Sequence, residues 1–194
     1  MTRTRLEAFS DGVIAILITI MVLELRPPHG VELGDLGPLV PKLLSYVLSF
    51  VFLAVYWNNH HHLLHAVQRV DGRVLWANVH LLFWLSLVPF VTAWMGEHGA
   101  APITVAAYGG VQLLSAVAYF LLTLSLRRLH GQDSALVRAL GADWKGKASV
   151  VAYVLAMPLA FASRWAAIAV FVAVVLVWLV PDPRIERVLR SGGE

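Results

Sequence analysis

Six stretches of this chain run for about twenty residues each with hardly a charged side chain, and proline, glycine or charged clusters close each one. A hydrocarbon core about 30 Å thick is crossed by about 20 apolar residues in a helix. Six such runs in 194 residues leave room only for short connections. The expectation is an all-α, polytopic membrane protein: one six-helix domain over residues 1–194, with a short basic tail at 183–194. Composition agrees, since 14% of residues are charged and 59% hydrophobic, whereas soluble domains carry about 25% charged residues. Cysteine is absent, which excludes a disulfide framework and thiolate metal sites.

The spans follow from the breakers. Helix one is expected over Leu6 to Leu25, stopped by Pro27-Pro28, which cannot continue a helix, and followed by a polar loop from His29 to Gly37. Helix two runs from Pro38 to Val67 and ends in the polar stretch Asn58-Asn59-His60-His61-His62 and His65. After the turn Arg69 to Arg73, helix three covers Val74 to Trp94, with a kink predicted at Pro89. Helix four is expected from Ala101 to Leu126, then a basic connection from Arg127 to Asp143 that includes Arg138. Helix five covers Trp144 to Ala162 and helix six Trp165 to Val180. Most of the tryptophans fall near span ends, as interface anchoring requires.

Lysine and arginine sort strongly between the two sides. Twelve fall on the side of the N-terminus, loop two-three, loop four-five and the tail, and three, Arg26, Lys42 and Arg164, on the other. By the positive-inside rule both termini face the cytoplasm. The tail residues Arg184, Arg187 and Arg190 have helical spacing suited to anionic head groups or to plain solvation. The N-terminus is not read as a cleaved leader, because Ser10 and Asp11 interrupt the approach to the apolar run and Glu24 to Pro28 replace a small-residue cleavage site. Arginine outnumbers lysine twelve to three, which with abundant alanine fits a GC-rich bacterial genome.

Helix one carries the most pointed chemistry. Arg5, Ser10 and Asp11 run directly into Val13 to Leu25, although a charge at the centre of a span costs about 2.5–3.5 kcal/mol on insertion scales. Ile16, Thr19, Ile20 and Leu23 project from one face. That stripe is either a packing seam, since lipid tails are as apolar as leucine, or the wall of a pore in which aliphatic rings gate by dewetting and a hydroxyl ring offers oxygen to a cation. A lone helix cannot enclose a pore, so the second reading implies a closed ring of identical subunits.

The topology puts Arg5, Ser10 and Asp11, the Asn59-His60-His61 end of helix two, and Asn78 of helix three at one end of the bundle, where they can form a hydrogen-bonded network that keeps the carboxylate ionised. His61 and His65 stand at i, i+4, a spacing zinc or copper uses. One histidine cluster falls short of the several boxes a diiron membrane oxidase needs, so no metal or cofactor is expected and the histidines are assigned to the interface or to the bundle. Glu24 is either solvated or part of an outer vestibule. No internal repeat and no glycine-rich phosphate loop is present, so neither nucleotide nor nucleic-acid chemistry has a residue basis.

These residues carry a resemblance. Arg5-x-x-x-Phe9-Ser10-Asp11-Gly12 with Ala15-Ile16, Thr19 and Leu23 resembles the signature of the transmembrane protein 175 potassium-channel family. Trp57-x-Asn59-His60-His61-x-Leu63, Asn78 and Pro89-Phe90 look like its helix-two and helix-three patterns, with departures at His62 and Leu64. The resemblance implies a homotetramer whose first helices line a central potassium-permeable pore, with no separate filter loop. It implies a constriction at Ile16, further rings at Ile20 and Leu23, a hydroxyl layer tied to selectivity at Thr19, and a packing network of Arg5, Phe9, Ser10, Asp11, Asn59, His60, His61 and Asn78. Potassium ions and the lipid bilayer of the cell membrane are then the partners, no enzyme activity is expected, and hydrophobic gating is. The alternative reading is a proton-coupled transporter using Asp11 and the helix-two histidines, but such carriers favour inverted repeats and broken half-helices, which the sequence does not display. A membrane enzyme built on the histidine cluster ranks third.

Overall fold

The computed structural model describes residues 2–131 and 144–179, and among these every regular element is helical. The elements are α1 (Arg3–Ile20), α2 (Val40–His65), α3 (Gly72–Ser86), α4 (Val88–Glu97), α5 (Pro102–His130), α6 (Trp144–Ala162) and α7 (Arg164–Leu179). Five candidate spans are long and apolar enough to cross a membrane, one of them made of α3 and α4 in line, and α7 adds a shorter apolar helix. The chain is a multi-pass membrane protein. Arg138 and the tail arginines Arg184, Arg187 and Arg190 lie outside the described residues, as does Val180 at the expected end of helix six.

Local chemistry sets most boundaries. Asp71 caps α3, its Oδ1 accepting from the Val74 N–H at 2.9 Å, and proline occupies the first turn of α2, α4 and α5, where a missing N–H costs nothing. Helix three breaks at Leu87. Pro89 two residues later cannot donate an i→i−4 bond, and the break falls where a kink was expected.

Three expectations shift. The α-helical part of helix one ends at Ile20, and Met21–Glu24 tightens into a 3₁₀ turn before the prolines. The polar loop contains a 3₁₀ segment, Leu33–Leu39, closed by a reciprocal capping box between Glu32 and Asp35, so α2 starts at Val40. Helix four does not stop at Leu126: α5 continues through Arg127 and Arg128 to His130 and ends at Gly131 with φ 80°. Basic residues in a last turn complement the negative end of the helix dipole, and glycine takes the left-handed position at no steric cost.

α5 is the central post, packed against α3, α4, α6 and α7. α2 packs on α4 and α7, and α6 on α7. The hydroxyls of Thr92, Ser49 and Tyr108 follow one another at 2.6 and 3.1 Å, tying α4, α2 and α5 inside the bundle. Gly96 lets α4 approach α2 closely: a Cβ there would lie 2.9 Å from Lys42 Cα. α1 stands at the edge, touching α2, α3 and α4 on one side only.

The two ends of the bundle agree with the charge sorting. At one end Arg3 donates to the carbonyls of His65 and Val67, both at 3.3 Å, and Arg69 to the carbonyl of Leu129 at 3.3 Å, which gathers the N-terminus, loop two-three and the end of α5. At the other, Lys42 pairs with Glu97 at 3.3 Å and Arg164 donates to the Gly99 carbonyl at 3.4 Å.

Candidate functional site

α1 has two faces of different character. Glu7, Ser10, Ile14, Leu17 and Met21 recur at three- and four-residue spacing and are buried against the bundle. Opposite them Ile16, Thr19, Ile20 and Leu23 are all exposed, Ile16 by 62% and Leu23 by 73%. Phe9 and Gly12 continue the exposed line toward the N-terminus. Thr19 sits among aliphatic neighbours with its Oγ1 3.0 Å from the carbonyls of Ala15 and Ile16. Its hydroxyl proton is donated back to the helix, which leaves the oxygen's lone pairs free to accept.

Behind this face stands a buried polar chain. Ser10 Oγ donates to the Leu6 carbonyl at 2.9 Å and accepts from Asn78 Nδ2 at 2.9 Å. Asn78 Oδ1 in turn lies 2.7 Å from His60 Nε2. Because the Asn78 nitrogen donates to Ser10, its oxygen is the acceptor, which makes His60 the Nε2–H tautomer. All three side chains have no exposed surface, so each lost bond would strand a polar atom in a low-dielectric interior. The chain locks α1, α2 and α3 together.

A second link lies closer to the surface. Trp57 Nε1 donates to Asp11 Oδ1 at 3.0 Å, and the Trp57 ring stacks on His61 with centroids 5.8 Å apart. The Glu7 carboxylate is 3.0 Å from His61 Nδ1 and 3.4 Å from His65 Nε2. Among the described residues, every polar tie from α1 to its neighbours thus leaves from Arg3, Glu7, Ser10 or Asp11, in its first half.

The structure therefore brings together Ser10, Asp11, His60, His61 and Asn78 of the expected network and leaves three members out. Arg5 is exposed and, among the described residues, its side chain has no partner; helical geometry turns it away from Ser10, onto the bare face with Phe9. Arg3, seven residues before Ser10, occupies the face from which an arginine reaches α2. Asn59 bonds within its own helix, to the Val55 carbonyl at 2.8 Å, and its backbone carbonyl accepts from Tyr119 at 3.2 Å, so it serves the α2–α5 contact. Sequence reasoning missed Glu7 and gave Trp57 no role. Glu7 stood three residues before Ser10 on the buried helical face, and that periodicity was the available signal.

Comparisons with known proteins point to one family. Residues 5–89 match the family described as endosomal/lysosomal potassium channel TMEM175. A protein named potassium channel from Chryseobacterium sp. (strain P1-3) is 47% identical over 192 residues, 99% of this chain and 100% of its own length. One of the same description from Chamaesiphon minutus is 33% identical over 180 residues, covering 86% of this chain and 88% of its own. The crystal structure of a lysosomal potassium-selective channel TMEM175 homolog from Chamaesiphon minutus superposes with a TM-score of 0.80 at 30% identity, over 92% of this chain and 96% of that one.

Proposed function

Because the chain belongs to the TMEM175 family, we propose that it is a potassium-permeable channel in which four copies place α1 around a shared axis. The observation that carries this reading is the pairing, on α1, of an exposed Ile16–Thr19–Ile20–Leu23 face with Ser10 on the opposite face, which ties the helix to α3 and α2 through the fully buried Ser10–Asn78–His60 chain. A helix meant only to face lipid has no need of a buried polar lock, whereas a pore wall must hold its register while ions pass. Phe9, Gly12, Ile16, Thr19 and Leu23 alternate three- and four-residue steps, the spacing at which helices bundle with a shallow left-handed crossing.

On this reading Ile16 forms the constriction, with Ile20 and Leu23 as further aliphatic rings that oppose wetting of the lumen. Thr19, exposed on the same face, supplies its hydroxyl oxygen as a ligand for a partly dehydrated cation. Arg5 and Phe9 lie at the mouth of the same face. The excess of basic residues at the end that holds Arg3, Arg69 and Arg127 supports a cytoplasmic position for that end and for both termini. The activity is permeation and involves no catalytic group.

Recording from purified protein in planar bilayers tests the reading. Unitary currents whose reversal potential follows the potassium gradient are expected. A current with no discrete openings, coupled to a proton gradient, would instead favour a carrier acting through Asp11 and the α2 histidines.

A further inference from the structure

The Glu7, His61 and His65 side chains form a cluster that permeation does not use. Each offers one ligand atom, and the three atoms lie within 4.8 Å of one another. Glu7 Oε1 sits 3.0 Å from His61 Nδ1 and 3.4 Å from His65 Nε2. Bonds of about 2.0–2.1 Å to a tetrahedral zinc ion set ligand-to-ligand edges of about 3.3 Å, and both separations fall beside that value. The approach of His61 Nδ1 to Glu7 does not have hydrogen-bond geometry, although this nitrogen is buried. A nitrogen that lies this close to a carboxylate without a hydrogen bond to it is left with its coordinating capacity unused.

We infer that Glu7 of α1 with His61 and His65 of α2 forms a binding site for a divalent transition metal ion of the zinc class, joining the two helices near their cytoplasmic ends. Two histidines and one carboxylate are a sufficient protein set, with water in the fourth position. The site admits both ion and water, since the His61 and His65 side chains are 35% and 46% exposed while Glu7 is 12% exposed. His61 and His65 are one helical turn apart, so backbone geometry already holds half the set. Trp57 stacked on His61 restrains that ring. His65 is the last residue of α2, where the helix dipole favours a cation. Arg3, about one turn before Glu7 on α1, is engaged by the His65 and Val67 carbonyls and leaves the Glu7 carboxylate to the histidines. Calcium and magnesium prefer all-oxygen shells and are excluded by the two imidazoles.

The test uses the assembled channel in detergent or nanodiscs, with any polyhistidine tag removed, titrated with Zn²⁺ and separately with Mg²⁺. One Zn²⁺ per subunit and a higher unfolding temperature with Zn²⁺ but not Mg²⁺ are expected. His65→Gln, at the most exposed position, and Glu7→Gln are each expected to weaken binding by more than the roughly 10–100-fold that outer-sphere partners cost, and to abolish the thermal shift. Binding that survives both substitutions would assign the ion to other histidines and overturn the site. Absence of saturable Zn²⁺ binding to the folded wild type would reduce the cluster to an ion pair. Neither result bears on whether the protein conducts potassium.

Discussion

Trp57 Nε1 donates to Asp11 Oδ1 across 3.0 Å, which joins the middle of α1 to α2 just in front of the buried Ser10 chain. A neutral donor on a charged acceptor is a strong bond, and partial exposure of Trp57 places it at about 1–2 kcal/mol. Trp57→Phe keeps an aromatic ring against His61 and removes the donor. It is expected to lower the unfolding temperature of the detergent-solubilised protein by that increment. Asp11→Asn, whose amide oxygen still accepts, is expected to lower it less.

The Ser10–Asn78–His60 chain predicts a larger and non-additive effect. Asn78→Leu leaves the His60 Nε2–H without an acceptor in a buried site, at a cost of about 1–3 kcal/mol, and also removes the donor to the Ser10 oxygen, whose own proton stays bonded to the Leu6 carbonyl. Ser10→Ala removes one partner only. Thermal unfolding of the two single variants and the double variant is expected to give a coupling energy of about 0.5–3 kcal/mol, and additive effects would mean that the two residues do not share a bond.

Permeation is predicted to respond at Ile16 without loss of the fold, because the side chain is 62% exposed in the subunit. If Ile16 forms the proposed constriction, Ile16→Asn wets it and is expected to raise unitary conductance and open probability in bilayers, and Ile16→Ala is expected to do the same by widening it. A variant indistinguishable from wild type would place this face against lipid.

Selectivity is predicted to reside at Thr19. Thr19→Ala removes the outward oxygen and is expected to move the reversal potential under opposed potassium and sodium gradients toward that of a nonselective pore. Thr19→Ser keeps the hydroxyl and is expected to retain potassium preference.

Close helix approach yields a prediction away from the pore. In Gly96→Ala the new methyl group meets Lys42 Cα at 2.9 Å, and backbone cannot yield as a flexible side chain would. Overpacking of this kind costs about 1–3 kcal/mol. Tm is expected to fall accordingly, with the ion preference unchanged.

The order of the spans was legible in the sequence because prolines, glycines and charged pairs mark their ends, and the break beside Pro89 followed from one missing N–H. The meeting of Ser10, Asn78 and His60 followed from topology alone: three polar positions at one end of adjacent antiparallel helices have few other partners. What stayed hidden depended on helical phase. Arg5 and Arg3 are two residues apart, yet they point to opposite faces, and only the packed helix shows that the second reaches α2. The His61–His65 pair was visible as a spacing, but its third member was not, because Glu7 comes from another helix and helix-to-helix register is not written in either segment. The extension of α5 to His130 was obscured by reading basic residues as loop, when arginine is a good helix former and suits a helix C-terminus.

The anchorage of α1 is uneven along its length. Arg3, Glu7, Ser10 and Asp11 hold its first half by directed bonds, whereas Ile14, Leu17 and Met21 hold the rest by dispersion contacts alone, and in lipid such contacts have no solvent-exclusion force behind them. The span is therefore clamped by directed bonds at its foot and held by apolar packing toward its tip. In the proposed tetramer, a tilt about the Ser10–Asp11 fulcrum would carry Leu23 through a wider arc than Ile16, because Leu23 stands farther from those directed bonds.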